Sequence, residues 1–199
     1  MKKKKTNLFI DAEWYLNQRI FLIGYATEEE SSGKIEVEQL YRKNIFRKQI
    51  ERILAFCNGT IYIYGPDVGM LEKRFAIPIR EKYRCVNLLK VVKQLLPNRA
   101  SYKLADMEKH FGYHRKADKY KKNIFDIYKD WHNPKLRQIV LDYNYEDVLY
   151  LAKIKQRIFK KFKPSDEWLS NIALASKSIA AMITSTLLTL QPEFGIRNK

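Results

Sequence analysis

Five side chains could assemble a site for a hard divalent cation: Asp11, Glu13, Asp67, Tyr143 and Asp147. Asp11 and Glu13 close an apolar run, Asn7 to Ala12, whose length and charged borders predict a buried strand. Residues two apart on a strand face the same way, so both carboxylates leave one face of the sheet. Two buried acids are costly unless a cation joins them. An ion such as Mg²⁺, which prefers oxygen ligands and keeps waters for substrate, is the natural partner. The same pair also suits an ordinary polar strand end, because Asp-x-Glu alone is common.

Asp67 follows a β-branched and aromatic run, Thr60 to Tyr64, after a Gly65-Pro66 turn. Ligands of open α/β sheets gather beyond strand ends. Asp is also a frequent helix N-cap, and one residue can serve both roles. Tyr143 and Asp147 lie four apart, a spacing that puts both on one helix face. There a carboxylate could hold a metal while a phenol orients a water. The competing reading is surface polarity for Asp147 and core packing for Tyr143.

The elements around these residues predict an α/β fold with a mixed five-stranded sheet flanked by helices. Asn7 to Ala12, Arg19 to Ala26 and Lys34 to Tyr41 read as strands, with a Ser31-Ser32-Gly33 turn between the last two. Thr60 to Tyr64 and Arg84 to Asn87 complete the set. The hairpin excludes a purely parallel sheet. Helical spacing covers Ile45 to Cys57, Asp67 to Phe75, Leu88 to Leu96 and Ser101 to Phe111, the last with Ser101 as N-cap and Gly112 as stop. Tyr113 to Asn123 reads as a polar, basic loop. Pro134 to Phe162 reads as helix, with a break near Asp142 to Asn144, and Ser165 to Pro192 as a further helical tail. The expected organisation is a basic tail over 1–6, an α/β domain over 7–163 and a helical extension over 164–199.

Lys and Arg number 38 against 22 Asp and Glu, a net charge of +16. Such an excess points to a polyanionic partner, because each phosphate contacted releases counterions. Membrane-surface binding competes with that reading on charge alone. Cys57 and Cys85 make neither a zinc set nor a disulfide framework, and buried free thiols in a reducing, cytoplasmic setting are expected. The Lys2 to Lys5 run is not followed by the apolar stretch of a signal peptide. Residues 178–192 carry no charge but are too short and too rich in Ser and Thr for a membrane span. They offer a face for packing on the domain or for pairing with a second copy.

The order of these motifs resembles the DnaQ-like 3′–5′ exonucleases of the ribonuclease H-like superfamily, in the type whose four acids are joined by a tyrosine (DEDDy). Phe9-Ile10-Asp11-Ala12-Glu13 matches the first motif, Asp67 with Leu71 behind it the second, and Tyr143 with Asp147 the third. The stretches Val86 to Leu89, Ser101 to Gly112 and Tyr143 to Val148 look like the YprB-like predicted-exonuclease branch. The resemblance implies two divalent ions, Mg²⁺ or Mn²⁺, held by Asp11, Glu13, Asp67 and Asp147. It further implies phosphodiester hydrolysis, with Tyr143 positioning the nucleophilic water. Trp14-Tyr15 stand where many relatives carry Thr-Gly, Gly65-Pro66 precede Asp67, and Asn87 stands where many carry Asp.

Substrate contacts are expected from Trp14, Tyr15, Arg115, Lys116, Lys119, Lys121 and Lys122. Cations interleaved with Tyr113 and Tyr120 suit single-stranded DNA or RNA, although a solvated loop reads equally well. Two alternatives stand beside the exonuclease: a structure-specific endonuclease, and a non-catalytic nucleic-acid-binding module on the same fold.

Overall fold

The computed structural model describes residues 5–15, 19–116 and 124–173. Strand β1 (Thr6–Trp14) pairs antiparallel with β2 (Ile20–Glu29), which pairs antiparallel with β3 (Ile35–Tyr41). On its other side β1 pairs parallel with β4 (Thr60–Ile63), and β4 with β5 (Arg84–Asn87). The order β3-β2-β1-β4-β5 is the mixed five-stranded sheet expected, with β1 at its centre. Gly33, at φ +68, supplies the left-handed residue of the β2–β3 hairpin.

Alternation along β1 divides the core. Leu8, Ile10 and Ala12 face a cluster with Ile50, Ile53 and Leu54 of α1 (Arg47–Ala55) and Val68 and Leu71 of α2 (Asp67–Phe75). Ile79, from the short helix α3 (Ile79–Lys82), joins them. Phe9 faces the opposite cluster, built by α4 (Leu88–Leu95), α5 (Leu104–His110) and α7 (Arg137–Phe162). A third cluster, Phe21, Leu22, Ile127, Trp131 and Val140, seats α6 (Ile124–His132) against β2 and α7. Cys57 and Cys85 are buried free thiols.

Two expectations are corrected, and one helix is added. Helix α5 starts at Leu104 rather than Ser101, because the Ser101 hydroxyl donates to Asp106 Oδ2 at 2.6 Å instead of capping the first turn. Helix α7 runs unbroken from Arg137 to Phe162. Asn144, the residue that suggested a break, turns its side chain to partners outside the helix rather than to its own backbone. Helix α6 went unread in the sequence, although Ile127 and Trp131, four apart and both buried, give its inward face.

Residues 166–173 are helical, and Leu169, Ile172 and Ala173 enter the α4/α5/α7 cluster. The uncharged stretch 178–192, with the dimer contact expected of it, lies outside the described residues. Among the described residues no helix is long and apolar enough to cross a membrane.

Candidate metal centre

Because odd positions of β1 face α7, Asp11 and Glu13 leave the sheet on that side, one of them opposite Gly24 in the β1–β2 register. Helix α7 crosses directly over this spot. A β-carbon at Gly24 would lie 2.5 Å from Asn144 Oδ1 and 2.6 Å from Val148 Cγ2, so the close approach depends on glycine. Asn144 is fully buried. Its Nδ2 donates to Asp11 Oδ2 at 2.8 Å, and its Oδ1 accepts from Gln39 Nε2 at 2.9 Å. One turn further, Asp147 reaches the same point.

One carboxylate oxygen from each of Asp11, Glu13 and Asp147 lies within 4.8 Å of the other two. Asp67, the first residue of α2, stands beside this group, and its Oδ1 accepts the Ala12 N–H at 3.2 Å. The N-cap position belongs to Pro66, so Asp67 is not the cap.

Electrostatics mark the cluster as short of positive charge. Burial, then Asp67, push Asp11 up to about 8. Glu13 and Asp147 rise well above the carboxylate range through burial and then through Asp11. Burial raises Asp67 to about 6, against the opposing hydrogen bond from Ala12. Four acids that suppress one another's ionisation form a donor set for a cation. Oxygen-only ligands in a rigid, buried arrangement fit a hard divalent ion.

Tyr143 lies one turn before Asp147 and is partly buried in the third cluster. Its phenol is raised above its ordinary value by burial and by Asp147. The Arg115 guanidinium sits over the Tyr143 ring, 4.9 Å from the centroid. Arg115 itself is buried and paired with both Asp147 and Glu108 of α5. Its side chain thus sits inside the acid cluster, where the sequence offered a substrate contact or a solvated loop. Lys116 is in the open, its backbone N–H donating to Glu146 Oε1 at 3.0 Å.

Trp14 packs against the α1/α2 cluster, whereas Tyr15 turns to the other face and stacks on Phe21 at 4.7 Å. Tyr128 meets Tyr15 edge-on at 4.8 Å, and His132 completes the group. Tyr113 stacks on Tyr150 of α7. Lys119, Lys121, Lys122 and Tyr120 lie outside the described residues.

The sequence reading missed Asn144, Gly24 and Glu108. Asn144 shares a helix face with Asp147 at i, i+3, which was a usable signal. A lone glycine within the apolar run Phe21 to Ala26 was another, since it marks close approach of a neighbour. Nothing in the local sequence distinguished Glu108 from an exposed helical glutamate.

A search of curated proteins finds no match to this chain. Residues 8–159, which span all five strands and the acids from both β1 and α7, match the model of the RNase H superfamily. On that match and on its mixed sheet with a convergent acidic cluster, the chain belongs to the RNase H superfamily, whose nucleases use divalent metals.

Proposed function

We propose that the chain is a metal-dependent 3′–5′ exonuclease of the DnaQ-like, tyrosine-bearing type and of its YprB-like branch, acting on single-stranded DNA or RNA. The observation that carries this reading is the convergence of Asp11, Glu13 and Asp147 oxygens within 4.8 Å on a buried face, with Asp67 beside them. Two Mg²⁺ or Mn²⁺ ions held by these four acids would supply Lewis acidity for attack of water on phosphorus and for charge on the leaving oxygen.

The chain's own residues do the rest. Asn144 fixes the Asp11 carboxylate. Tyr143, a neutral phenol at about pH 7 like any ordinary tyrosine, donates its O–H to orient the attacking water. Tyr15 and Tyr128, with Tyr128 exposed, offer ring faces to unpaired bases two residues beyond Glu13. Trp14 supports that strand end from its opposite face. Lys116, Lys119, Lys121 and Lys122 contribute positive charge toward the backbone, in keeping with the net charge of +16, whereas the Arg115 side chain is held inside the acid cluster.

We further assign residues 7–163 to the nuclease domain, 1–6 to a basic tail and 164–199 to an extension, in a reducing, cytoplasmic setting that suits two free thiols.

The test is cleavage of a 5′-labelled single strand, DNA and RNA separately, with Mg²⁺, Mn²⁺ or EDTA, beside Asp11→Asn and Asp147→Asn. A metal-dependent ladder shortening from the 3′ end, absent in both variants, supports the reading. Discrete internal fragments would move it to a structure-specific endonuclease. Binding without cleavage under any metal would move it to a non-catalytic module.

A further inference from the structure

The acid cluster already contains a cation. The Arg115 side chain is only 2% exposed. Its Nε and Nη2 donate to Glu108 Oε2 and Oε1 in a two-pronged grip, and Nη2 also donates to Asp147 Oδ1. Nη1 is buried and has no hydrogen-bond partner among the described residues. The two carboxylates hold the arginine unequally. Glu108 takes two of its three bonds with the planar fork that guanidinium matches best, and Asp147 takes one. Asp11 repels Asp147, and among the described residues the Arg115 guanidinium is the cation seen to offset that repulsion, through its hydrogen bond and its charge.

Resting on the metal-dependent reading above, we propose that Arg115 is a resident counter-ion that a divalent metal must displace from Asp147. Metal entry is then an exchange. Asp147 Oδ1 releases Nη2 and turns to the metal, while the guanidinium stays on Glu108. The arrangement has two effects. In the absence of metal the buried Asp147 carboxyl keeps a hydrogen-bond partner in Arg115 and the fold around α7 holds. In its presence Arg115 competes for one ligand oxygen and weakens metal binding, so occupancy requires a higher free ion concentration than the four acids alone would set. Glu108 is the positioning residue that keeps the displaced arginine in the centre.

The experiment is Mn²⁺ titration of the full chain, stripped with EDTA, by calorimetry and by loss of the free-Mn²⁺ spin-resonance signal, with thermal melting in EDTA and in Mn²⁺. Arg115→Gln is expected to bind Mn²⁺ about tenfold more tightly than wild type, the size of a typical coupling between two ligands of one group. It should melt lower in EDTA and gain more from Mn²⁺. Arg115→Lys keeps the charge but loses the fork, and should also bind more tightly than wild type. Glu108→Gln removes the seat for the displaced guanidinium and should bind more weakly.

Equal or weaker Mn²⁺ binding in both Arg115 variants overturns the exchange. If Arg115→Gln folds only when Mn²⁺ is present, the exchange is supported; if it folds in neither condition, Arg115→Lys decides. Asp147→Asn separates this inference from the functional reading. If wild type binds Mn²⁺ through Asp147 and the Arg115 variants match it, the exchange alone fails. If neither wild type nor Arg115→Gln takes up Mn²⁺, the metal-dependent reading fails with it.

Discussion

Asn144 donates to Asp11 Oδ2 at 2.8 Å, a bond that spans 133 positions of sequence and ties α7 to the central strand at the acid cluster. Its other end is held by Gln39 of β3, so one buried amide connects three elements. Asn144→Leu keeps the volume and removes both bonds. We expect it to lower stability by about 1–3 kcal/mol, the cost of buried groups left unpaired. Urea denaturation in EDTA measures this, and Mn²⁺ affinity should fall with it as Asp11 loses its orientation.

Gly24→Ala is a sharper probe of the same contact. The new methyl would sit 2.5 Å from Asn144 Oδ1 and 2.6 Å from Val148 Cγ2, so α7 must retreat from the sheet. Overpacking of this kind costs about 1–3 kcal/mol. Gly69→Ala in α2 serves as the control, since its nearest atom is 3.8 Å away. Within a helix that change should stabilise by about 0.5–1 kcal/mol. Melting curves of the two variants should therefore move in opposite directions.

The raised carboxylates fix the sign of the pH response. In the metal-free protein the protonated forms are favoured by folding. Their contribution is full below the ordinary Asp value of 3.8 and is lost as pH rises through about 6 for Asp67 and about 8 for Asp11. Metal-free protein should therefore melt at a lower temperature at pH 8.5 than at pH 5.5, roughly the two sides of that window. Saturating Mn²⁺ should erase or reverse the trend, because metal uptake displaces the protons. Apparent Mn²⁺ affinity should climb as pH rises through about 6 and about 8, where Asp67 and Asp11 lose their protons. A flat affinity profile across that window would contradict the assignment of these acids as ligands.

Far from the acids, Lys155 of α7 pairs with Glu28 at 2.6 Å in a buried site where Asn7 and Gln156 also donate to Glu28, each at 3.0 Å. Lys155→Met leaves that carboxylate without its cation and should cost about 3–5 kcal/mol. Replacing both partners, as Lys155→Met with Glu28→Leu, should cost less than the single change. A double-mutant cycle by chemical denaturation checks the inequality.

The strands were legible in the sequence because β-branched and aromatic runs, with turn residues between them, state their period directly. Asp11 and Glu13 were legible for the same reason: strand alternation puts them on one face whatever the rest of the chain does. Asn144 was misread because the local competition between its side chain and the backbone is decided by Asp11 and Gln39, which only tertiary structure brings near. Arg115 was read with its neighbours, His114 and Lys116, as part of a basic loop turned to substrate or to solvent. Its partner Glu108 is seven residues away, and the turn at Gly112 that faces them together depends on a positive φ of 80°. Helix α6 was missed because it follows a highly charged stretch and its inward face, among the described residues, is short: Ile127 and Trp131 with the buried Asp130 between them.

Helix α7 grips the sheet at two separate stations, Asn144 with Asp147 at the acids and Lys155 with Gln156 at Glu28. Each station demands a particular rotational phase of one rigid rod. A single residue inserted between them would turn one station by about 100° relative to the other. The spacer from Val148 to Ile154 thus behaves as a gauge block: its side chains can be exchanged for others of like volume, but its length cannot be changed by one.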